Sequence, residues 1–344
     1  MPPKKQLKYK NYKIMKKIFC AVLALAAMAS CSKEHTVDYN KQAIAFGEAF
    51  VENSTRAAID NTYTDSKKVT EFNVYGTVQG THDESSPVFI FNGDIVKNNN
   101  GTTTVGYDDV WFCDNVQYWV PNADYKFTAV VDGVLDTTDN TIDYNVSDQT
   151  DLLLATATAS VNNAGTITGS NMGENGLVKF QFNHLLSKAY FTFKTNAAFK
   201  TDEYTYEISN IQFDNAYTEG TYKVGGIGVN SGAWTASNTD ELSFGAAVTL
   251  APSMTTAVET TSEYVKVFIP QEDVMISFTA TIKYLGTPIS VKNYTFDVFK
   301  SSESKKSVAG HQYNFVVEFT ENNTIKFSVD DVTDWVVDGD ITLQ

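Results

Sequence analysis

The chain has 344 residues, 13% of them aromatic, with 7 prolines and a formal net charge of −15. That length suits two ordinary domains, and the aromatic, well-mixed sequence argues against a disordered chain. The acidity is uneven: residues 1–30 hold seven lysines and no acid, so 19 basic residues face 41 acidic ones from Cys31 onward, a balance of −22 that argues against nucleic acid and anionic lipid heads as partners.

The first element is residues 16–30, KKIFCAVLALAAMAS. Two lysines precede an apolar run and then small residues, the pattern of a secretory signal peptide too short to span a membrane. A standard signal would start at Met15, which makes residues 1–14 an over-long start. Ala29-Ser30-Cys31 matches a lipoprotein cleavage site, with Met28 where leucine is usual, so Cys31 is the expected lipidation site. Ser32-Lys33-Glu34 resembles a short acidic signal for the outer face of an outer membrane. Cys20 lies in the signal run and Cys113 stands alone in the body, so a processed chain with acylated Cys31 forms no internal disulfide.

Residues 31–56 then form a propeptide with one β-patterned piece, QAIAFGEAFV, in which Ile44, Phe46 and Phe50 alternate with small residues. It ends at Arg56, the only arginine in the sequence, followed by Ala57. An arginine-directed protease can therefore cut this chain only between these two. The polar flanks Asn53-Ser54-Thr55 and Asp60-Asn61-Thr62 suit an exposed loop.

From there the chain reads as short alternating strands divided by Asn, Asp and Gly. Strands are expected at 69–75, 87–94, 111–119, 125–131, 152–158 and 177–182. The Gly-rich stretch 165–176 reads as a loop. A boundary near 183–190 divides an N-terminal unit, 57–186, from a C-terminal one, 187–344. The second half continues with strands at 208–213, 266–270, 276–284, 294–299, 312–320 and 324–329. No long amphipathic helix is evident, so the chain is expected to be all-β. The tail still alternates, with Trp335, Ile341 and Leu343 as a candidate terminal strand that needs an edge to pair with.

The order of these pieces resembles the fimbrillin family, FimA-type and Mfa-like, which builds type V pili. The resemblance rests on the lipoprotein signal, Thr55-Arg56-Ala57, Tyr118-Trp119-Val120-Pro121, Asp151-Leu152-Leu153-Leu154-Ala155, Phe180 to Lys188, Phe268-Ile269-Pro270-Gln271 and Ala309 to Phe315. It implies two tandem transthyretin-like β-sandwich domains. It also implies a surface lipoprotein whose first strand is cut away by an arginine-directed protease, leaving a groove that a strand from another subunit fills. The partners implied are other pilus subunits, that protease and the outer membrane through the lipid anchor. The tail after Trp335 is short for a donor strand, which leaves stalk, tip and anchor positions open.

A second reading is a monomeric surface lipoprotein that binds a host or bacterial glycan or protein, with Trp111, Trp119, Trp234 and Trp335 as a candidate platform. Core packing is the alternative role for these residues. His35, His82, His184 and His311 lack metal-ligand spacing, and His184 suits a hydrogen-bonded structural role. Residues 139–151 are rich in oxygen ligands without the glycine and terminal glutamate of an EF-hand. Residues 226–232 read as a turn rather than a phosphate loop, and Asp136-Thr137-Thr138 matches a short O-glycosylation signal. No catalytic motif is present, and neither an enzyme nor a cofactor is expected.

Overall fold

A computed structural model describes residues 42–51, 69, 71–81, 86–98, 111–195, 204–245, 247–250, 258–259, 265–297, 306–319 and 325–334. All lie in one compact unit, 40–344. In chain order the strands are β1 (Ala45–Val51), β2 (Glu71–Gly80), β3 (Val88–Asn98), β4 (Trp111–Cys113), β5 (Ala123–Val131), β6 (Leu135–Asp136), β7 (Thr141–Asn145), β8 (Leu153–Val161), β9 (Ile167–Ser170) and β10 (Leu177–His184). They continue as β11 (Ser187–Thr195), β12 (Tyr204–Val224), β13 (Gly232–Ser243), β14 (Val248–Leu250), β15 (Val258–Glu259), β16 (Lys266–Phe268), β17 (Met275–Tyr284), β18 (Thr287–Asp297), β19 (His311–Phe319) and β20 (Ile325–Asp334). Among the described residues the helical structure is two single 3₁₀ turns, Val146–Asp148 and Glu174–Gly176. The protein is all-β.

The strands form three sheets. The first runs β1-β10-β8-β5-β2-β3-β4, with β9 on β8. The second runs β15-β11-β19-β20, with β16 on β11, and the third runs β18-β17-β12-β7-β6, with β13 and β14 on β12. The third sheet crosses the middle of the sequence, because β7 pairs antiparallel with the far end of β12 from Glu219↔Asn145 to Lys223↔Thr141.

Side-chain alternation explains most of these strands. In β10 and β17 every second residue is buried: Val178, Phe180 and Phe182 in one, Ile276, Phe278, Ala280 and Ile282 in the other. Where sheet one is covered on both faces, alternation gives way to a continuous apolar run. Val74, Ala129 and Leu153 face one cluster, and their neighbours Tyr75, Val130 and Leu154 face another. The first cluster covers one face of sheet one. The second lies between the outer face of that sheet and β7, β12, Leu185 and Leu186. A third cluster, from Phe191, Phe193, Phe213, Phe244, Phe278 and Phe315, lies between sheets two and three.

Several expectations are corrected by the structure. The strand expected over 111–119 stops at Cys113, and beyond it the Asn115 side chain donates to Ile90 O (2.9 Å). The 165–176 loop contains β9, which pairs with Thr158–Val161. The six residues expected at 208–213 belong to a 21-residue strand. In the oxygen-rich stretch 139–151, Asp143 accepts from Thr221 (2.7 Å) and Asn145 caps Ser147 (2.9 Å), so these oxygens serve local structure. His184 is buried with Nδ1 2.9 Å from Asp151 Oδ1, as its strand context suggests.

Candidate functional site

The site is the seam occupied by β1. Ile44 and Phe46 face inward, as their spacing predicts, and both are buried in the core of sheet one. Phe46, 4% exposed, sits in a cage of rings: Phe91 at 5.4 Å, Phe180 at 6.0 Å, Phe72 at 6.3 Å and Phe127 at 6.4 Å. Each wall belongs to a different strand: β2, β3, β5 and β10.

The backbone is held on two sides. On one, β1 runs parallel to β10, from Ala45↔Leu177 to Val51↔Phe182. On the other, Ala43 bridges Tyr118 in antiparallel register, Ile44 N donates to Gln117 O (2.8 Å) and Trp119 N donates to Gln42 O (3.0 Å). The Gln42 side chain adds a bond to Asn175 O (2.7 Å). Thus β1 closes sheet one between β10 and the segment after β4. Withdrawing it would expose two unpaired backbone edges at once.

The seat is irregular. The register shifts between Gly47 and Ala49. At Gly47 a Cβ would run into the Leu177 side chain, so the strand passes there without one. The bulge reverses the alternation, and Ala49, outward by strict period two, is buried in the core. Phe50 lies in the strand opposite Gln181, and its side chain is outside the described residues. Beside the seam, Trp119 is 2% exposed and packs on Tyr125 at 4.6 Å. Its indole Nε1 is buried without a hydrogen-bond partner among the described residues. Burial raises the pKa of the Tyr125 hydroxyl, against the bond it accepts from Val120 N (2.6 Å).

Of the other sequence-predicted residues, Cys31, Arg56, Ala57, Trp335, Ile341 and Leu343 lie outside the described residues. Arg56 and Ala57 belong to the link between Val51, at the end of β1, and Val69, just before β2. The tail follows directly on β20, which pairs with β19 at an edge of sheet two. Trp111 and Trp119 are core residues, and Trp234 Nε1 donates to Leu185 O (2.8 Å) while its ring packs on Tyr222. These three therefore form no exposed platform. Sequence reasoning missed Gln42, Asn175 and Gln117 as clamps of β1. They act through backbone partners distant in the chain, which residue spacing does not reveal.

No curated protein matches the chain. Among solved structures, a fimbrial protein from Bacteroides vulgatus ATCC 8482 is similar in fold, with a TM-score of 0.55 at 15% identity over 86% of this chain and 100% of that one. A candidate cell adhesion protein from Bacteroides uniformis ATCC 8492 shares 20% identity over 86% of this chain and 99% of that one, with a TM-score of 0.49. A fimbrial assembly protein from Parabacteroides distasonis ATCC 8503 shares 11% identity over 85% and 97% of the two chains, with a TM-score of 0.42. The profile of the fimbrillin-like family matches residues 55–335, and the chain belongs to that family.

Proposed function

We propose that this chain is a cell-surface pilus subunit exported as a lipoprotein on Cys31 and activated by cleavage after Arg56. The signal peptide ends before Cys31, and the lipid holds the uncut chain at the outer membrane. The body is read as two transthyretin-like sandwiches meeting near residue 186. The function is structural and adhesive rather than catalytic, in keeping with the fimbrillin-like family.

The observation that carries this reading is the seating of β1. It is buried, closes a sheet, and joins the rest of the chain through the link that holds the only arginine. While the link is intact, β1 binds its seam as an intramolecular ligand. Cutting the link makes it a separate peptide. Burial of Ile44 and Phe46 contributes about 3–6 kcal/mol, and association as a free peptide costs roughly 4–15 kcal/mol. A cut β1 is therefore a weak ligand that dilution and a competing strand can displace. The refilling strand comes from another subunit and pairs with the vacated edges by strand addition. Trp335, Ile341 and Leu343 are the candidate donor residues.

The test is the N-terminus of the protein recovered from its native cell surface, read by intact mass and peptide mapping. Ala57 at the N-terminus of polymerised protein is the expected result. An acylated Cys31 with residues 32–56 attached throughout would overturn the exchange mechanism.

A further inference from the structure

The seam holds one polar group that β1 leaves unsatisfied. Trp119 is 2% exposed, and its indole Nε1 is buried with no acceptor among the described residues. A buried donor left unpaired carries its full desolvation penalty, and protein interiors rarely keep one. Its packing neighbours supply no acceptor. Tyr125 and Phe127 present rings to Trp119 at 4.6 Å and 6.1 Å. The Tyr125 hydroxyl is engaged by Val120 N (2.6 Å) and Tyr118 O (3.5 Å).

The indole nitrogen lies beside the chain that enters β1. A Cβ on Gly176 would stand 3.3 Å from Trp119 Nε1 and 3.4 Å from Gln42 Nε2, so the two nitrogens flank the same glycine. Gln42 also meets Trp119 through the backbone, where Trp119 N donates to Gln42 O (3.0 Å). The Gln42 side chain is spent elsewhere: Nε2 donates to Asn175 O (2.7 Å) at the exposed rim of the seam. That bond fixes which end of the amide faces the turn, since two oxygens cannot share it. At this place β1 therefore brings a second donor where the indole needs an acceptor.

We infer that Trp119 reads the side chain at the Gln42 place and selects a strand that carries a hydrogen-bond acceptor there, two residues ahead of the one that fills the Ile44 position. A carboxylate suits it best, because a carboxylate only accepts. The inference rests on the exchange reading for its occupant, a strand from another subunit, and adds to that reading a rule of choice. By this rule β1 is one hydrogen bond short of the best occupant of its own seam. The charged residues flanking Gly176 in the chain, Glu174 and Lys179, are one of each sign, so the rule asks for an acceptor, charged or neutral.

The test uses the full chain cut after Arg56 by an arginine-specific protease, and acetylated peptides of residues 41–51 that compete with β1, read by native mass spectrometry. One peptide is wild type and one carries Gln42→Glu. A third carries Gln42→Met, and the fourth is its sulfoxide, which adds a neutral acceptor to the same frame. The Gln42→Glu peptide should bind about tenfold more tightly than wild type, and the sulfoxide about tenfold more tightly than its parent. Trp119→Phe keeps a ring but removes the N–H, and should abolish both differences. The indole ¹H–¹⁵N signal of Trp119 needs no variant at that position, and should move downfield with the two acceptor peptides alone. Equal affinities, a preference that survives Trp119→Phe, or an unmoved indole signal would overturn the rule. Failure of every peptide to displace β1, wild type included, would count against the exchange reading instead. The rule is then decided in the uncut chain, where Gln42→Glu should raise the urea midpoint, and should not do so beside Trp119→Phe. An equal change in both backgrounds, or none, would overturn it.

Discussion

Phe46→Ala tests the seam most directly. The side chain is 4% exposed and ringed by Phe72, Phe91, Phe127 and Phe180 at 5.4–6.4 Å. Truncating a buried phenylalanine costs about 3–5 kcal/mol, more where the surroundings cannot collapse. Here the four walls stand on four different strands of one sheet, so relaxation is limited and the expected loss is about 4 kcal/mol. Urea unfolding of the uncut chain, followed by tryptophan fluorescence, reads it, since Trp111 and Trp119 lie in the same core. Ala45→Ser, exposed on the same strand, is the control and should stay within about 0.5 kcal/mol of wild type. Once cut after Arg56 and freed of residues 31–56, the Phe46→Ala chain is identical to wild type, so the difference must vanish. A loss below about 1 kcal/mol in the uncut chain would refute the seating of β1 as a core strand.

Gly76 lies on β2 with its would-be Cβ 2.9 Å from the rings of both Phe91 and Phe127, so Gly76→Ala should destabilise by about 1–3 kcal/mol in the same unfolding assay. Asp132 has its carboxyl pKa raised by burial and, less, by the charges of Asp151 and Glu71. A group that titrates higher in the folded state stabilises at low pH and loses that contribution as pH rises through its folded pKa. Asp132→Asn should therefore gain stability over wild type at neutral pH, with the pH-dependent part of the gain vanishing below the ordinary carboxylate range. A difference that does not change between pH 3 and pH 7 would leave only a backbone effect at this positive-φ position. The Cys113 thiol is pushed up to about 11, chiefly by burial. At pH 8 its alkylation, read by peptide mapping, should run about a hundredfold slower in the folded chain than in urea.

How far the fold is legible in the sequence depends on how much each strand buries. The strands β10 and β17 bury a complete alternate face, and the sequence shows them directly. In β9 only Ile167 is even half-buried, and most of β13 is exposed, so neither carries an apolar rhythm. They form because a neighbouring strand offers them hydrogen bonds, which composition does not record. The 21 residues of β12 are obscured differently. Its first part packs into the core between sheets two and three, and its far end, at Tyr222 and Val224, joins the cluster against sheet one. The register shift between Phe213 and Ala216 interrupts the period between them.

The same reasoning separates what was readable at the seam from what was not. Ile44 and Phe46 were legible because an apolar pair at spacing two needs only a core to face. The reversal at Ala49 was not, because it depends on Leu177 occupying the space beside Gly47. Sequence pattern therefore identifies β1 as a strand, while its irregular seat is a property of the assembled sheet. That distinction bears on the proposed exchange. A replacement strand need not copy the pattern of residues 44–51. It must fill the Ile44 and Phe46 positions, carry no side chain against Leu177 or else displace it, and pair with both β10 and the Gln117–Trp119 segment. A strand that meets these conditions without a bulge keeps its hydrogen-bond ladder unbroken across that position. If the chain is cut after Arg56 as proposed, exchange is expected to run toward such a strand.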